Sequence, residues 1–158
     1  MTLRGSPPLL KVPRKGQSFV LRAVKVLKFN SLIPELSVKD LDISKRFYLE
    51  ALGFALEYER VEDGFAFISY GDAQMMLEQI NGHWETENME YPFGRGINFQ
   101  IISDDLDILY QKLIANGNSL FRDIYETNYR KNETIHKIKE FLVQDPDGYL
   151  LRFSQSIE

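Results

Sequence analysis

The 158-residue chain has no cysteine, only two histidines (His83 and His136) and a single tryptophan, Trp84. Without cysteine there is no disulfide framework, thiolate metal site, iron–sulfur cluster or thiol nucleophile. Long apolar runs are missing too, and none approaches the roughly 18–20 residues that a membrane-spanning helix needs. Acidic residues are absent from the first thirty positions, where seven basic residues stand alone (Arg4, Lys11, Arg14, Lys15, Arg22, Lys25 and Lys28). What is present suits a globular protein: 44% hydrophobic and 27% charged residues, at a length near one domain on the usual scale of roughly 100–200 residues.

The net charge of −4 therefore hides a division. All 23 Asp and Glu lie beyond Asn30 with only 12 of the 19 basic residues, so the body from Ser31 onward carries a formal charge of −11. Such a field attracts cations and repels a nucleic acid backbone. Residues 1–30, with Pro7, Pro8 and Pro13, read as a basic leader, disordered or accessory. Arg22, Lys25 and Lys28 interrupt its apolar stretch, which argues against a secretory signal.

From residue 31 to 158 the chain reads as one domain with an internal repeat. The tetrapeptide DLDI occurs at Asp40–Ile43 and again at Asp105–Ile108, each time opening a segment of helical period. Leu41, Phe47, Tyr48, Ala51 and Leu52 share one face in the first copy; Leu106, Leu109, Tyr110, Leu113 and Ile114 do in the second. Asp40 is the expected N-cap of the first helix, Ser103 or Asp104 of the second, and Gly53 and Gly117 the C-terminal stops.

One strand precedes each helix and three follow. In the first half these are residues 32–38, then 54–60, 65–70 and 73–80; in the second, 97–103, then 120–125, 137–144 and 149–154, with Asp145-Pro146-Asp147-Gly148 as the last turn. The fold class is thus α+β, two βαβββ modules (31–80 and 96–158) joined by a connector (81–95). A single module is too small to cover its own sheet, so the two pack together around a cleft.

These motifs, LIPELSVKDLDISKRFYLEALGF, GRGINFQIISDDLDILYQKL and FLVQDPDGYLLRF, resemble the vicinal oxygen chelate superfamily, which includes glyoxalases, bleomycin resistance proteins and extradiol dioxygenases. The likeness runs from Leu32 to about Gln155. It implies a curved sheet around a cleft and, in the metalloenzymes of the family, metal ligands on the first and last strand of each module. Placed on this sequence, those positions are Ile33, Glu78, Asn98 (Ile97 if the register slips by one) and Arg152. Only Glu78 is an anionic donor, whereas Ile33 has no donor atom and Arg152 repels a divalent ion. No metal, cofactor or catalytic residue is therefore expected, and the resemblance implies metal-free capture of a small molecule.

Strand alternation then turns Glu35, Ser37, Met76, Glu78, Asn98, Gln100, Leu150 and Arg152 toward the cleft, with Leu36, Val38, Met75, Leu77, Phe99, Ile101, Leu151 and Phe153 against the helices. The connector adds His83 and Trp84, set among three glutamates. Phe65 and Phe67 share one face, cleft or core. The expected ligand-binding set is Glu35, Phe65, Glu78, His83, Trp84, Asn98, Gln100 and Arg152. Carboxylates and flat aromatic faces together suit a cationic heteroaromatic ligand, such as a bleomycin-like glycopeptide. The alternatives for these residues are that Glu78 and Arg152 neutralise each other, or that Trp84 plugs a junction. The resemblance also implies a homodimer, and a cytoplasmic location is expected; the acidic body and the lack of a spanning run leave no nucleic acid or membrane partner expected. Two other readings stand beside it: a glyoxalase-like or dioxygenase-like metalloenzyme with an altered metal site, and a ligand-sensing module using the basic leader as a contact arm.

Overall fold

A computed structural model describes residues 27–157. The basic leader thus lies outside the described residues, except for positions 27–30. Both βαβββ modules are present. The first comprises β1 (Glu35–Val38), α1 (Leu41–Lys45), β2 (Ala55–Arg60), β3 (Phe65–Tyr70) and β4 (Ala73–Gln79); the second comprises β5 (Asn98–Ile102), α2 (Leu106–Ala115), β6 (Arg122–Lys131), β7 (Thr134–Gln144) and β8 (Leu150–Ser156). They form two four-stranded mixed sheets, ordered β1-β4-β3-β2 and β5-β8-β7-β6, with the first and last strand of each module paired in parallel.

α1 is a single turn of α-helix that runs on as a π-helical stretch, Arg46–Ala51. Asp40 caps it as expected, accepting the Ile43 N–H at 2.9 Å. At α2 the expected cap moves: Asp105, not Ser103 or Asp104, stands at the N-cap, and its side chain makes no capping hydrogen bond. Ser103 is taken by tertiary packing instead, its hydroxyl 2.8 Å from that of Tyr70. Leu106, Leu109 and Leu113 are buried, but Ile114 points to solvent. Gly53 and Gly117 follow the two helical segments with φ of 82° and 73°, the left-handed stop that glycine accommodates.

One strand is much longer than its sequence pattern suggests. β6 continues through Tyr129-Arg130-Lys131 and pairs with β7 over a tight turn at Asn132-Glu133, Asn132 having φ 56°. Asparagine tolerates that conformation through its short polar side chain. The polar composition of residues 126–136 disguises a half-exposed hairpin.

The helix-side faces of both sheets share one core. Leu36, Val38, Met75 and Leu77 pack in the same cluster as Ile101, Phe141, Leu151 and Phe153. The Asp145–Gly148 turn locks the modules together: Tyr48 Oη donates to Asp145 Oδ2 at 2.9 Å, Lys39 N–H and the Ser44 hydroxyl reach Asp147, and Tyr149 Oη donates to the Ser37 carbonyl. Asp145 also accepts the N–H groups of Asp147 and Tyr149. The turn's carboxylates are consumed by its own latch. Burial raises Asp145 from the ordinary carboxylate range to about 6.

Candidate functional site

The face of each sheet turned away from the shared core carries the polar residues. On module one, register places Phe65 opposite Glu78, Phe67 opposite Met76, and Ser37 beside Glu78. Phe65 and Phe67 therefore lie on the concave side, yet both are buried there. Tyr58 stacks on Phe67 at 5.2 Å, Phe29 meets the same ring edge-on at 5.4 Å, and the Arg60 guanidinium lies 3.8 Å over Phe65. Phe65 is thus a floor beneath Arg60.

Glu78 is the hub of this face. Its carboxylate accepts from Trp84 Nε1 at 3.1 Å and from Asn81 Nδ2. It also hydrogen-bonds Glu35, and a carboxyl–carboxylate contact requires one proton between the two groups. Glu35 holds it: partial burial, with the hydrogen bond and charge of Glu78, lifts Glu35 to about 7, while its contacts lower Glu78. Arg60 from β2 and His83 from the connector act on the pair through space. Trp84 is 62% exposed, its ring edge anchored and its face open. Glu35, Glu78, His83 and Trp84 come together as one patch.

On module two, Asn98 pairs with Leu150 and Gln100 with Arg152, so these side chains share one face. The register fixes Asn98, not Ile97, as the strand residue. Arg152 Nη2 donates to Gln100 Oε1 at 2.7 Å, and Gln100 Nε2 to Ser154 Oγ at 3.0 Å. Tyr129 of the long β6 also lies on this face, and two further residues escaped sequence reasoning: Tyr125 and the fully buried Glu140. Alternation along β7 from Leu142 was a usable signal for Glu140, had β6 been recognised as its long partner.

Glu78 and Arg152 do not neutralise each other. Each is engaged within its own module, Glu78 by Trp84, Asn81 and Glu35, Arg152 by Gln100, Tyr129 and Glu140. Where the modules approach along the start of β4 and β5, a groove of about 370 Å³ is lined by Leu32, Pro34, Gln74, Asn98 and Gln100, among others.

The sequence profile of the Glyoxalase/Bleomycin resistance protein/Dioxygenase superfamily matches residues 28–153. The chain belongs to that superfamily. A probable lactoylglutathione lyase of Vibrio parahaemolyticus is 32% identical over 127 residues, covering 77% of this chain and 86% of its own length. A bleomycin resistance protein of Staphylococcus aureus is 29% identical over 135 residues, covering 80% and 96%. Among solved structures, the bleomycin resistance determinant encoded on transposon Tn5 aligns with a TM-score of 0.54 at 22% identity, over 82% of this chain and all of that one. A superfamily member from Alicyclobacillus acidocaldarius aligns at 0.59 and 21% identity, over 82% and 92%. Both structures share the fold.

A metal of the kind used by the superfamily's metalloenzymes does not fit the residues at the corresponding positions. Ile33 offers no donor, Asn98 a weak amide oxygen, and Arg152 a guanidinium held in its own polar network. Glu78 is the one competent ligand, and its oxygens are already engaged. Among the described residues, no group of three or more His, Asp and Glu stands close enough to hold an ion. Nor is any described helix long and apolar enough to cross a membrane.

Proposed function

We propose that this protein is a metal-free small-molecule-binding protein of the bleomycin resistance type. It captures a cationic aromatic glycopeptide in the cytoplasm and holds it unmodified. The observation that carries this reading is the donor set: three of the four positions that would chelate a metal hold isoleucine, asparagine and arginine. The Glu35–Glu78–Trp84 patch supplies what such a ligand needs, negative charge beside an exposed indole face. Asn98 and Gln100 supply hydrogen bonds on the second wall.

The two walls belong to different modules and make no bridge through Glu78 and Arg152 within the chain. A two-fold homodimer completes the cleft by setting module one of one protomer against module two of the other. Titration with bleomycin tests the reading: Trp84 fluorescence changes on binding, the affinity falls as salt rises, and elemental analysis finds no stoichiometric metal. Saturating bleomycin that leaves both Trp84 emission and melting temperature unchanged refutes drug capture.

A second reading, a lyase with a relocated metal site, draws support from the 32% identity to the probable lactoylglutathione lyase. It predicts stoichiometric metal in the purified protein and loss of turnover in Glu78→Gln.

A further inference from the structure

The polar wall of module two is organised around a carboxylate that has no part in the fold's apolar core. Glu140 is 0% exposed. Its Oε1 accepts hydrogen bonds from Tyr125 Oη and, at 3.1 Å, from Tyr129 Oη, and the Arg152 Nη1 stands 4.0 Å away. Its Oε2 and the Arg152 Nε are both buried without a hydrogen-bond partner. Burying a carboxylate is costly unless charge and hydrogen bonds compensate it, and an apolar residue on β7 would fill the same space without that cost. Phe141 and Val143, its neighbours of opposite parity, already build the core.

The arrangement has two consequences for whatever lies against this wall. Arg152 is the guanidinium at the middle of the concave face, and Glu140 offsets its charge from within the protein. The other guanidinium nearby, Arg122, lies over the Tyr125 ring, 4.8 Å from its centre. Lys137 and Lys139 have the opposite parity on β7, and Lys139 is held by Asp107 on the helix side. His136 stands opposite Tyr129 near the turn of the hairpin. The second consequence is that both phenol hydroxyls are tied down at one atom, which fixes the rings as a platform on the same wall.

We propose that Glu140 is a specificity-determining residue of the cleft: it masks the Arg152 charge and anchors Tyr125 and Tyr129, so that the module-two wall accepts a cationic aromatic ligand rather than an anionic one. This rests on reading the concave faces as a ligand cleft.

The test sets two probes of opposite charge, bleomycin and naphthalene-2-sulfonate, against wild type, Glu140→Gln, Arg152→Gln and the double variant, with thermal melts to confirm folding. Glu140→Gln preserves shape but leaves Arg152 unopposed. Bleomycin affinity is expected to fall at least ten-fold and naphthalene-2-sulfonate affinity to rise by a similar factor, with both shifts reversed in Glu140→Gln/Arg152→Gln. A purely structural role for Glu140 would not exchange the sign of the preferred probe, nor be rescued by removing Arg152. Should Glu140→Gln fail to fold, Arg152→Gln alone carries the test: bleomycin affinity rises several-fold and its salt dependence steepens. Equal affinities across the folded variants overturn the proposal. If wild type does not bind bleomycin, drug capture fails on its own, and the sulfonate arm still decides: gain in Glu140→Gln with loss in the double variant supports the mask, and no gain refutes it.

Discussion

The two modules share a topology and a helix-side packing scheme but have opposite concave faces. Module one shows solvent an open patch, Glu35, Glu78 and Trp84 above a floor of Phe65 and Phe67. Module two shows a largely buried network that links Glu140, Arg152, Gln100 and two tyrosines and leaves Glu140 Oε2 and Arg152 Nε without a hydrogen-bond partner. The difference teaches where a duplicated fold is free to diverge. Helix-side positions must fill a core at fixed volume, so both copies keep Leu, Ile, Val and Phe there. Concave positions need only be solvated or paired.

The largest expected effect breaks the seam between the modules. Gly148 has φ 88°, and a Cβ there would stand 2.5 Å from Pro92 Cβ and 2.7 Å from its Cα. Gly148→Ala should cost about 4 kcal/mol in denaturant melts, combining left-handed strain with overpacking. At Gly117, where φ is also positive but nothing lies within 4 Å of the added methyl, the same substitution should cost about 1 kcal/mol. Equal losses at the two sites would mean that the seam is looser than its geometry.

Next comes the latch that only module one's helical segment makes. Tyr48→Phe deletes a hydroxyl that donates to the buried Asp145 carboxylate, an expected loss of about 2 kcal/mol. The pH dependence follows from Asp145 itself. Its folded value, about 6, lies above the ordinary 3.8, so the folded state binds the proton more tightly than the unfolded one. Its contribution to stability is full below pH 3.8 and is lost as pH rises through about 6. In Asp145→Asn that component of the stability profile is expected to flatten.

The open patch of module one holds a titrating carboxyl pair. Trp84 hydrogen-bonds Glu78, whose partner Glu35 loses its proton near 7. Trp84 emission in the ligand-free protein should therefore change with a midpoint near pH 7. Glu35→Gln should abolish that transition and His83→Asn should leave it. A transition that survives in Glu35→Gln refutes this assignment.

The smallest effect compares the helix starts. Asp40→Ala should cost about 1 kcal/mol through its lost cap. Asp105→Ala should be close to neutral, since its side chain caps nothing.

Much of this molecule was legible before any coordinates. The DLDI repeat, the two glycine stops and the Asp145–Gly148 turn mark the modules, and strict alternation in β1, β4, β5 and β8 separates Leu36, Leu77, Ile101 and Leu151 from Glu35, Glu78, Gln100 and Arg152. Parity along a strand is local information, carried by neighbours in the chain. Pairing partners are not local, and Tyr125 and Glu140 of the second wall were missed for that reason. Tyr125 and Glu140 meet through the register of a hairpin whose polar sequence hides its length.

The amino-acid order alone determined the duplication and the core face of β1, β4, β5 and β8, because each depends on period. Tertiary structure decided that Glu78 turns to Trp84 and Glu35 while Arg152 turns to Glu140, that Phe65 is a floor beneath Arg60, and that the Asp145 turn is a latch. Those outcomes depend on which elements lie against each other, where a few ångströms decide between a partner and open solvent, and no linear pattern encodes that distance.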